Sequence, residues 1–398
     1  MKGTKGAGYL TFKINYIQMK KNSKQSGKEN FSAIDRRNFL KSAGAGMLGV
    51  AGMGMLTQAG PDVQKKVVKR TREERIKQIA SNSWAVLPLF KNRPNPQRPE
   101  RPETLELKKK YGEITLLDFP QFTKDHYPGV RAMDIRSSVF GDVTDDSMFT
   151  KVERNGQTRF GFFDPGAPSA KRYLDLLVSK IVSTGVQAVH ISNNAPVAIS
   201  EASPGSSGIS EEARKEGVRV AKLWLDAAKQ IGVRSMRVNT GGPQILPLAI
   251  VEQGYPRNLE IVPYLKNAIE SFKEMAGYGE KVGVKVTIEN HWGLAANPMN
   301  VIIILNEVNS PYLESSPDFS NWEHDYLLYN GLRVLIPYAR SMCHAKRWTR
   351  YPDVDIARCV QILNDAGYKG FISMEYEGGG DPLAGALKLM DDVVEALN

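Results

Sequence analysis

The feature that most constrains the fold is an alternation of short strand-like segments with amphipathic helical ones, from about residue 79 to residue 398. The strand-like segments are 80–86, 131–137, 187–193, 234–239, 283–290, 313–319, 340–346 and 370–376. Helical spacing of apolar residues is clearest at 211–232, 259–283, 353–367 and 381–397. Eight strands, each followed by a helix, predict an α/β fold: a parallel sheet closed into a single-domain (β/α)8 TIM barrel.

Two alternatives remain open in this pattern. Residues 114–119 (ITLLDF), which we take as the approach to a helix at 118–127, could supply the first strand instead. A doubly wound open sheet would show the same alternation. No Gly-x-Gly-x-x-Gly motif follows an early strand, however, so nothing in the sequence indicates dinucleotide binding.

A long insertion at residues 138–168 follows the second predicted strand. Asn155-Gly156 lies between two β-like runs within it, which predicts a hairpin. Loops at this position project from the face where barrel enzymes work, so the insertion could be a lid or only a decoration.

The first 59 residues differ in charge from the rest of the chain. They contain ten Lys or Arg and only two acidic residues, so most of the net charge of +10 belongs to them. Residues 60–398 are therefore nearly neutral, and we expect no nucleic-acid partner.

Within this basic segment, Arg36 and Arg37 precede Phe39-Leu40-Lys41 and then about fifteen small or apolar residues, an order typical of an export signal. The alternatives to an export signal are a membrane anchor and a buried Gly/Ala-rich helix. The apolar run is too short and too rich in glycine to span a membrane well, which favours the export signal. The Arg-Arg-x-Phe-Leu-Lys core resembles a twin-arginine signal. We therefore expect a leader at 1–59 with its true start at Met19, a linker at 60–78, a barrel at 79–398, recognition by the export machinery and a periplasmic location.

Polar side chains collect at the carboxyl ends of the predicted strands. Successive side chains of a strand point to opposite faces, and the apolar residues of the fifth strand suit the helix side, so Glu289 points into the barrel. The next three strands deliver Asp318, His344 and Glu375 in the same way. An isolated buried carboxylate is costly unless it is paired or binds a metal. Three carboxylates and an imidazole indicate one divalent ion, Mn²⁺ first, with Mg²⁺, Co²⁺ or Zn²⁺ also compatible.

The segments TIENHWG, SPDFSNW, CHAKR and GYKGFISMEYEG resemble the strand-end motifs of the xylose-isomerase-like barrel superfamily, in its sugar (phosphate) isomerase/epimerase branch. This resemblance implies one metal held by Glu289, Asp318, His344 and Glu375, with Glu289 and Glu375 as the acid/base pair. The epimerases place a His three residues after the metal Asp, where this chain has Asn321. Many members place an Asp after the His-x-Lys of the seventh strand, where this chain has Arg347.

We therefore expect an exported, metal-dependent isomerase or epimerase of a small carbohydrate, working by proton abstraction next to a carbonyl with a metal-stabilised enediolate. The residues predicted to orient the substrate hydroxyls are His190, Asn194, Arg237, Asn239, His291 and Lys346. Each of them could instead have only a structural hydrogen-bonding role. The chain could also form an oligomer.

Three other functions are alternatives to this expectation. A metal-dependent lyase or hydratase acting on keto-sugars, keto-glycosides or cyclitols would share its first chemical step. A non-catalytic sugar-binding barrel is the alternative from another class. The DNA-cleaving endonuclease IV of the same superfamily needs many His ligands and a basic groove, which five histidines and a nearly neutral barrel do not supply.

Overall fold

The computed structural model describes residues 70–94, 99–154, 157–194, 210–242, 261–322 and 324–398, with the backbone alone at 152–154 and 157–159. The predicted leader with Arg36 and Arg37, most of the predicted linker and the Asn155-Gly156 turn lie outside these residues.

Within the described part of the chain, eight parallel strands form the barrel. They are β1 (Ile79–Asn82), β2 (Ala132–Arg136), β5 (Gln187–Asn193), β6 (Ser235–Val238), β7 (Lys285–Ile288), β8 (Leu313–Ser315), β9 (Met342–Trp348) and β10 (Phe371–Glu377). They pair in the order β8-β7-β6-β5-β2-β1-β10-β9. All eight predicted strands are present, and the predicted TIM barrel is confirmed.

The cylinder closes between β8 and β9 through residues that follow the short strand β8. The His344 N–H donates to the Pro317 carbonyl (2.9 Å), and the Phe319 N–H donates to the His344 carbonyl (3.0 Å). A parallel bridge thereby joins Asp318 to His344. The seam of the barrel therefore coincides with two of the predicted metal ligands.

Helices connect the strands and cover the outside of the barrel. The described helices are α1 (Arg72–Ile76), α2 (Pro102–Tyr111), α3 (Phe119–His126), α4 (Pro168–Thr184), α5 (Glu211–Gln230), α6 (Val262–Val282), α7 (Pro298–Val308), α8 (Leu327–Leu335), α9 (Ile356–Asp365) and α10 (Pro382–Ala396). Several have the local signals expected of helix ends. Ser210 caps α5 by accepting from the Ala213 N–H, and Gly283 ends α6 in the left-handed conformation.

The first strand is Ile79–Asn82 and not ITLLDF. Ile114 makes only a single bridge, to Phe90, and α3 follows close to the position predicted for it. Across the described residues, each helix is too short or too polar to cross a membrane.

The core shows the alternation of strand side chains that the sequence predicts. Val286, Ile288, Ile372 and Met374 are fully buried in the apolar layer of the barrel. Burial of such side chains is the main favourable contribution to folding, at roughly 25 cal/mol per Å² of apolar surface. Their strand neighbours of the opposite parity are thereby turned toward the barrel interior.

The insertion after β2 contains the predicted hairpin, formed by β3 (Phe149–Arg154) and β4 (Gln157–Phe163). An aromatic cluster anchors its base, where the Phe140 ring lies 5.6 Å from that of Phe163 and 5.0 Å from that of Trp224. Whether the hairpin is a lid stays a prediction.

Candidate metal centre and active site

Three of the predicted ligands converge at the carboxyl ends of their strands. Glu289 follows β7, Asp318 lies on the β8–β9 seam, and His344 is part of β9. All three are almost completely buried, and one ligand atom of each lies within 4.8 Å of the others. The Nδ1 atom of His344 is 3.5 Å from Oε2 of Glu289.

The unsatisfied atoms of this group show that it fits a divalent cation. Within the described residues, Asp318 Oδ2 and His344 Nδ1 are buried and have no hydrogen-bond partner. Leaving such atoms unpaired in the interior is costly, and a cation bound by oxygen and imidazole ligands would remove that cost. Burial also raises the pKa of Asp318, and the negative charges of Glu375 and Glu289 add to this effect, although Lys346 opposes it.

Asn290 explains how the loop that carries Asp318 is fixed. Its Oδ1 accepts from the Asp318 N–H (2.7 Å), and its Nδ2 donates to the carbonyls of Asp318 (3.0 Å) and Asn321 (3.2 Å). The Oδ1 atom of Asp318 accepts from the N–H groups of Ser320 (2.6 Å) and Asn321 (2.9 Å). One carboxylate oxygen is therefore held by the backbone, and the other is left for a cation.

Asp134 of β2 is a candidate functional residue that the sequence analysis missed. It is fully buried, and its Oδ2 accepts from Nε2 of His344 (3.0 Å). Its other donors are Ser192 (2.9 Å), Ser373 (2.8 Å) and Asn82 (3.2 Å). Carboxylates behind a ligating histidine fix the ring orientation and the tautomer. Here the bond to Nε2 turns Nδ1 toward Glu289. The signal in the sequence that could have indicated this residue is a single carboxylate between two apolar strand residues, Met133 and Ile135.

A second group of possible ligands, Asp134, His190 and His344, is less suited to a cation. Both oxygens of Asp134 accept hydrogen bonds, one of them from His344 Nε2, so within the described residues this group has one further unpartnered ring atom, His190 Nε2. Burial raises the pKa of this carboxyl, but the hydrogen bond from His344 and the positive charges nearby outweigh burial and lower it. Asp134 is therefore an ionised partner of His344.

Glu289 is also held by two side chains. Arg237 Nη1 donates to its Oε2, and Asn321 Nδ2 donates to its Oε1 (2.7 Å). Burial raises the pKa of Glu289, but the charges of Arg237 and His344 outweigh burial and lower it. Asn321 thus contacts Glu289 from the position where the epimerases have a histidine.

Glu375 of β10 lies apart from the three-residue group. Its Oε1 accepts from Lys346 Nζ (2.9 Å), and Lys346 also donates to Glu377 (2.7 Å). Burial raises the pKa of Glu375, but the positive charge of Lys346 outweighs burial and lowers it. The predicted role of Glu375 as a fourth ligand stays a prediction.

Comparison with protein families now identifies the fold family. The family described as "Xylose isomerase-like TIM barrel" matches residues 149–395. The chain belongs to this family.

Individual relatives of this xylose isomerase-like chain are distant. It is 25% identical over 188 residues to a putative hydroxypyruvate isomerase of Homo sapiens, which covers 46% of this chain and 65% of the relative. A mouse protein (Mus musculus) of the same description is 24% identical over 183 residues, covering 44% and 64%. The chain therefore spans just under two thirds of the length of these curated relatives.

Two solved structures confirm the fold. The 3-keto-D-glucoside 4-epimerase of E. coli superposes with a TM-score of 0.52 at 12% identity, covering 80% of this chain and 98% of the epimerase. An L-ribulose 3-epimerase gives a TM-score of 0.52 at 12% identity, covering 80% and 95%.

Above the three-residue group, this xylose isomerase-like barrel has a cavity of about 320 Å³. Four of the five tryptophans in the chain line it, namely Trp84, Trp292, Trp322 and Trp348. Ser192, Arg237 and Asn321 also line the cavity, and each hydrogen-bonds a member of the three-residue group. The group therefore lies directly beneath the cavity.

The residues predicted to contact substrate occupy different positions. Arg237, His291 and Lys346 line the cavity. Asn194 accepts hydrogen bonds from Arg237 and from Asn239 (3.0 Å), so these two amides lie behind the arginine.

His190 is fully buried below the cavity. It is hydrogen-bonded through Nδ1 to Ser235 (2.8 Å), and its ring lies 5.8 Å from that of His344. Burial lowers its pKa to about 3, so the ring is neutral. Arg347 pairs with Asp392 of α10 (3.0 Å) and does not line the cavity.

Proposed function

We propose that this chain is a divalent-metal-dependent isomerase or epimerase of small carbohydrates. The observation that carries the proposal is the position of the unpartnered Asp318 and His344 atoms directly beneath a cavity whose wall includes a second carboxylate, Glu375. A bound dication would polarise a substrate carbonyl and make the neighbouring C–H more acidic.

The side chains of the site are suited to moving that proton. Glu375 is ionised, lines the cavity and is oriented by Lys346, so it can accept a proton from carbon. Glu289, directly after β7, serves as the second carboxylate of the proposed acid/base pair. Return of the proton to the opposite face of the same carbon gives an epimer, and return to the neighbouring carbon gives an isomer.

The cavity wall supports a carbohydrate substrate. Tryptophan rings offer flat apolar surfaces with a polar N–H edge, which suit the C–H faces and hydroxyls of sugars. The names of the relatives and of the two structures fit the same chemistry, since all describe rearrangement next to a carbonyl. We also propose, from the sequence alone, that Arg36 and Arg37 direct export of the folded chain.

The proposal is tested by solvent exchange. Mn²⁺-loaded protein is incubated in D₂O with a panel of ketoses and aldoses, and deuterium incorporation is followed by mass spectrometry. We expect incorporation at a carbon next to the carbonyl of at least one sugar, and its loss in Glu375→Gln. The matched control is Glu314→Gln, which alters a buried carboxylate of β8 whose partners, Ser341 (2.7 Å) and Lys285, lie at the amino-terminal ends of β9 and β7. Undiminished exchange in Glu375→Gln would contradict the acid/base assignment.

A further inference from the structure

The cationic side chains of the cavity are not all neutralised in the same way. Arg237 is paired with Glu289, and Lys346 is paired with Glu375 and Glu377. Arg136 is different. Among the residues with described side chains, no carboxylate lies within ion-pair distance of its guanidinium, and its Nε is buried without a hydrogen-bond partner.

Arg136 is nevertheless held in place. Its guanidinium carbon lies 3.5 Å from the centre of the Trp84 ring. The Trp84 indole N–H donates to Glu377, and its backbone N–H donates to Asn82 Oδ1 (2.7 Å). Because the flat face of the guanidinium is stacked on the ring, its N–H edges stay available to a ligand in the cavity.

The surroundings make this charge costly without an anion. Burial lowers the pKa of Arg136 to about 10, and the positive charge of Arg237 contributes to the same effect, although the more distant carboxylates Glu375, Glu377 and Glu289 oppose it. The guanidinium is still protonated at neutral pH. The cavity lining contains the cations Arg136, Arg237, Lys346 and Arg350 and the carboxylates Glu375 and Glu377. Both of these carboxylates pair with Lys346, and Glu289 beneath the cavity pairs with Arg237, so none of the three forms an ion pair with Arg136.

The position of Arg136 on β2 fits a ligand that extends away from the three-residue group. Asp134 and Arg136 point to the same side of β2 and are two residues apart, which separates them by about 6.6 Å along the strand. Asp134 bonds His344, so Arg136 lies one layer of side chains outward from the metal centre. In a six-carbon ketose, C2 and C6 are about 5 Å apart when the chain is extended.

We infer that Arg136 binds an anionic group, a carboxylate or a phosphate, at the end of a six-carbon sugar remote from the reacting carbonyl. This inference rests on the proposed function and specifies its substrate class. The planar fork of arginine can donate two parallel hydrogen bonds to either anion, while the reacting end lies over Glu289, Asp318 and His344. Trp84 and Glu377 are positioning residues in this arrangement.

The test compares three sugars that differ only at C6: D-fructose, D-fructuronate and D-fructose 6-phosphate. Dissociation constants for the full chain loaded with Mn²⁺ are measured by tryptophan fluorescence. We expect at least one anionic sugar to bind about 10- to 100-fold more tightly than fructose, as hydrogen bonds to charged groups allow. The stronger of the two anions identifies the group.

Two variants of Arg136 separate its charge from its shape. Arg136→Gln should abolish the preference for the anion, and Arg136→Lys should keep part of it. The matched control is Arg358→Gln, because Arg358 stacks on Tyr329 (3.8 Å) outside the cavity, and this variant should keep the full preference. Equal binding of all three sugars by the unaltered chain, or a full preference in Arg136→Gln, would overturn the inference.

Deuterium incorporation in the same samples distinguishes the two proposals. Incorporation without any preference for the anion would contradict the proposed role of Arg136 and leave the proposed catalysis supported. A preference lost in Arg136→Gln, with no incorporation from any sugar, would support Arg136 and contradict the proposed catalysis.

Discussion

Replacing Asp134 by asparagine removes the charge behind His344 with little change of shape. Within the described part of the chain, Oδ2 of Asp134 accepts from His344 (3.0 Å), Ser373 (2.8 Å) and Asn82 (3.2 Å), whereas the donor to Oδ1 is Ser192 (2.9 Å). The new amide can therefore place its oxygen at the Oδ2 position and its nitrogen toward Ser192, whose hydroxyl can rotate to accept. His344 keeps its hydrogen bond but loses the charged partner.

Two magnitudes follow from this geometry. Loss of a partner behind a metal ligand typically lowers metal affinity about 10- to 100-fold, so we expect Mn²⁺ to bind Asp134→Asn weaker by about that factor. The free energy of unfolding should fall by about 1–2 kcal/mol, because a charge-assisted hydrogen bond becomes a neutral one. Both are measurable on one preparation, by titration calorimetry and by denaturant unfolding of the metal-free protein.

The control for this prediction is again Glu314→Gln. Glu314 is buried and bonded to Ser341 and Lys285, so its replacement should reduce stability by a similar amount. It should not change the affinity for Mn²⁺, because Glu314 lies away from the metal centre. Equal Mn²⁺ affinity in folded Asp134→Asn and in the unaltered protein would refute the positioning role of Asp134.

The remaining predictions concern pH and export. Burial lowers the pKa of His344, but Glu289 and the hydrogen bond to Asp134 outweigh burial and raise it to about 9, above its unfolded value of about 6.5. The resulting stability of the metal-free protein is fully present below about pH 6.5 and is lost as the pH rises through about 9. If Mn²⁺ binds His344, it displaces this one proton, so its affinity should rise by up to about tenfold per pH unit below pH 9. A Mn²⁺-induced shift in melting temperature no larger at pH 8.5 than at pH 6.5 would argue against this linkage. Replacing Arg36 and Arg37 together by lysine should leave the protein in the cytoplasm, and normal export of that variant, measured by cell fractionation, would remove the twin-arginine interpretation.

The positions of the strands could be predicted because the alternation of apolar and polar residues along a strand is a local property of the sequence. Burial of Val286 and Ile288 on the helix side places Glu289 inside, as the sequence indicated. The partners of these residues depend on contacts between strands far apart in the chain. Nothing local to AMDI indicates that Asp134 meets His344, which lies 210 residues away.

Side-chain orientation was the other part that the sequence could not supply. The alternation of side chains along β9 and β10 places Glu375 and Lys346 in the same region, but their pairing depends on rotamers. In this arrangement Glu375 is not part of the three-residue group. Arg237 was predicted to contact substrate, and its guanidinium also bonds Glu289. His190 was also predicted to contact substrate because its side chain points into the barrel. It lies deeper along its strand and is fully buried below the cavity.

The most direct test of the metal centre is a crystal of the protein grown with Mn²⁺ and measured at the manganese absorption edge. One anomalous peak is expected per chain, in contact with Asp318 Oδ2, His344 Nδ1 and the Glu289 carboxylate. A peak at another group of residues, or no peak at saturating Mn²⁺, would contradict the convergence of these three side chains on one ion.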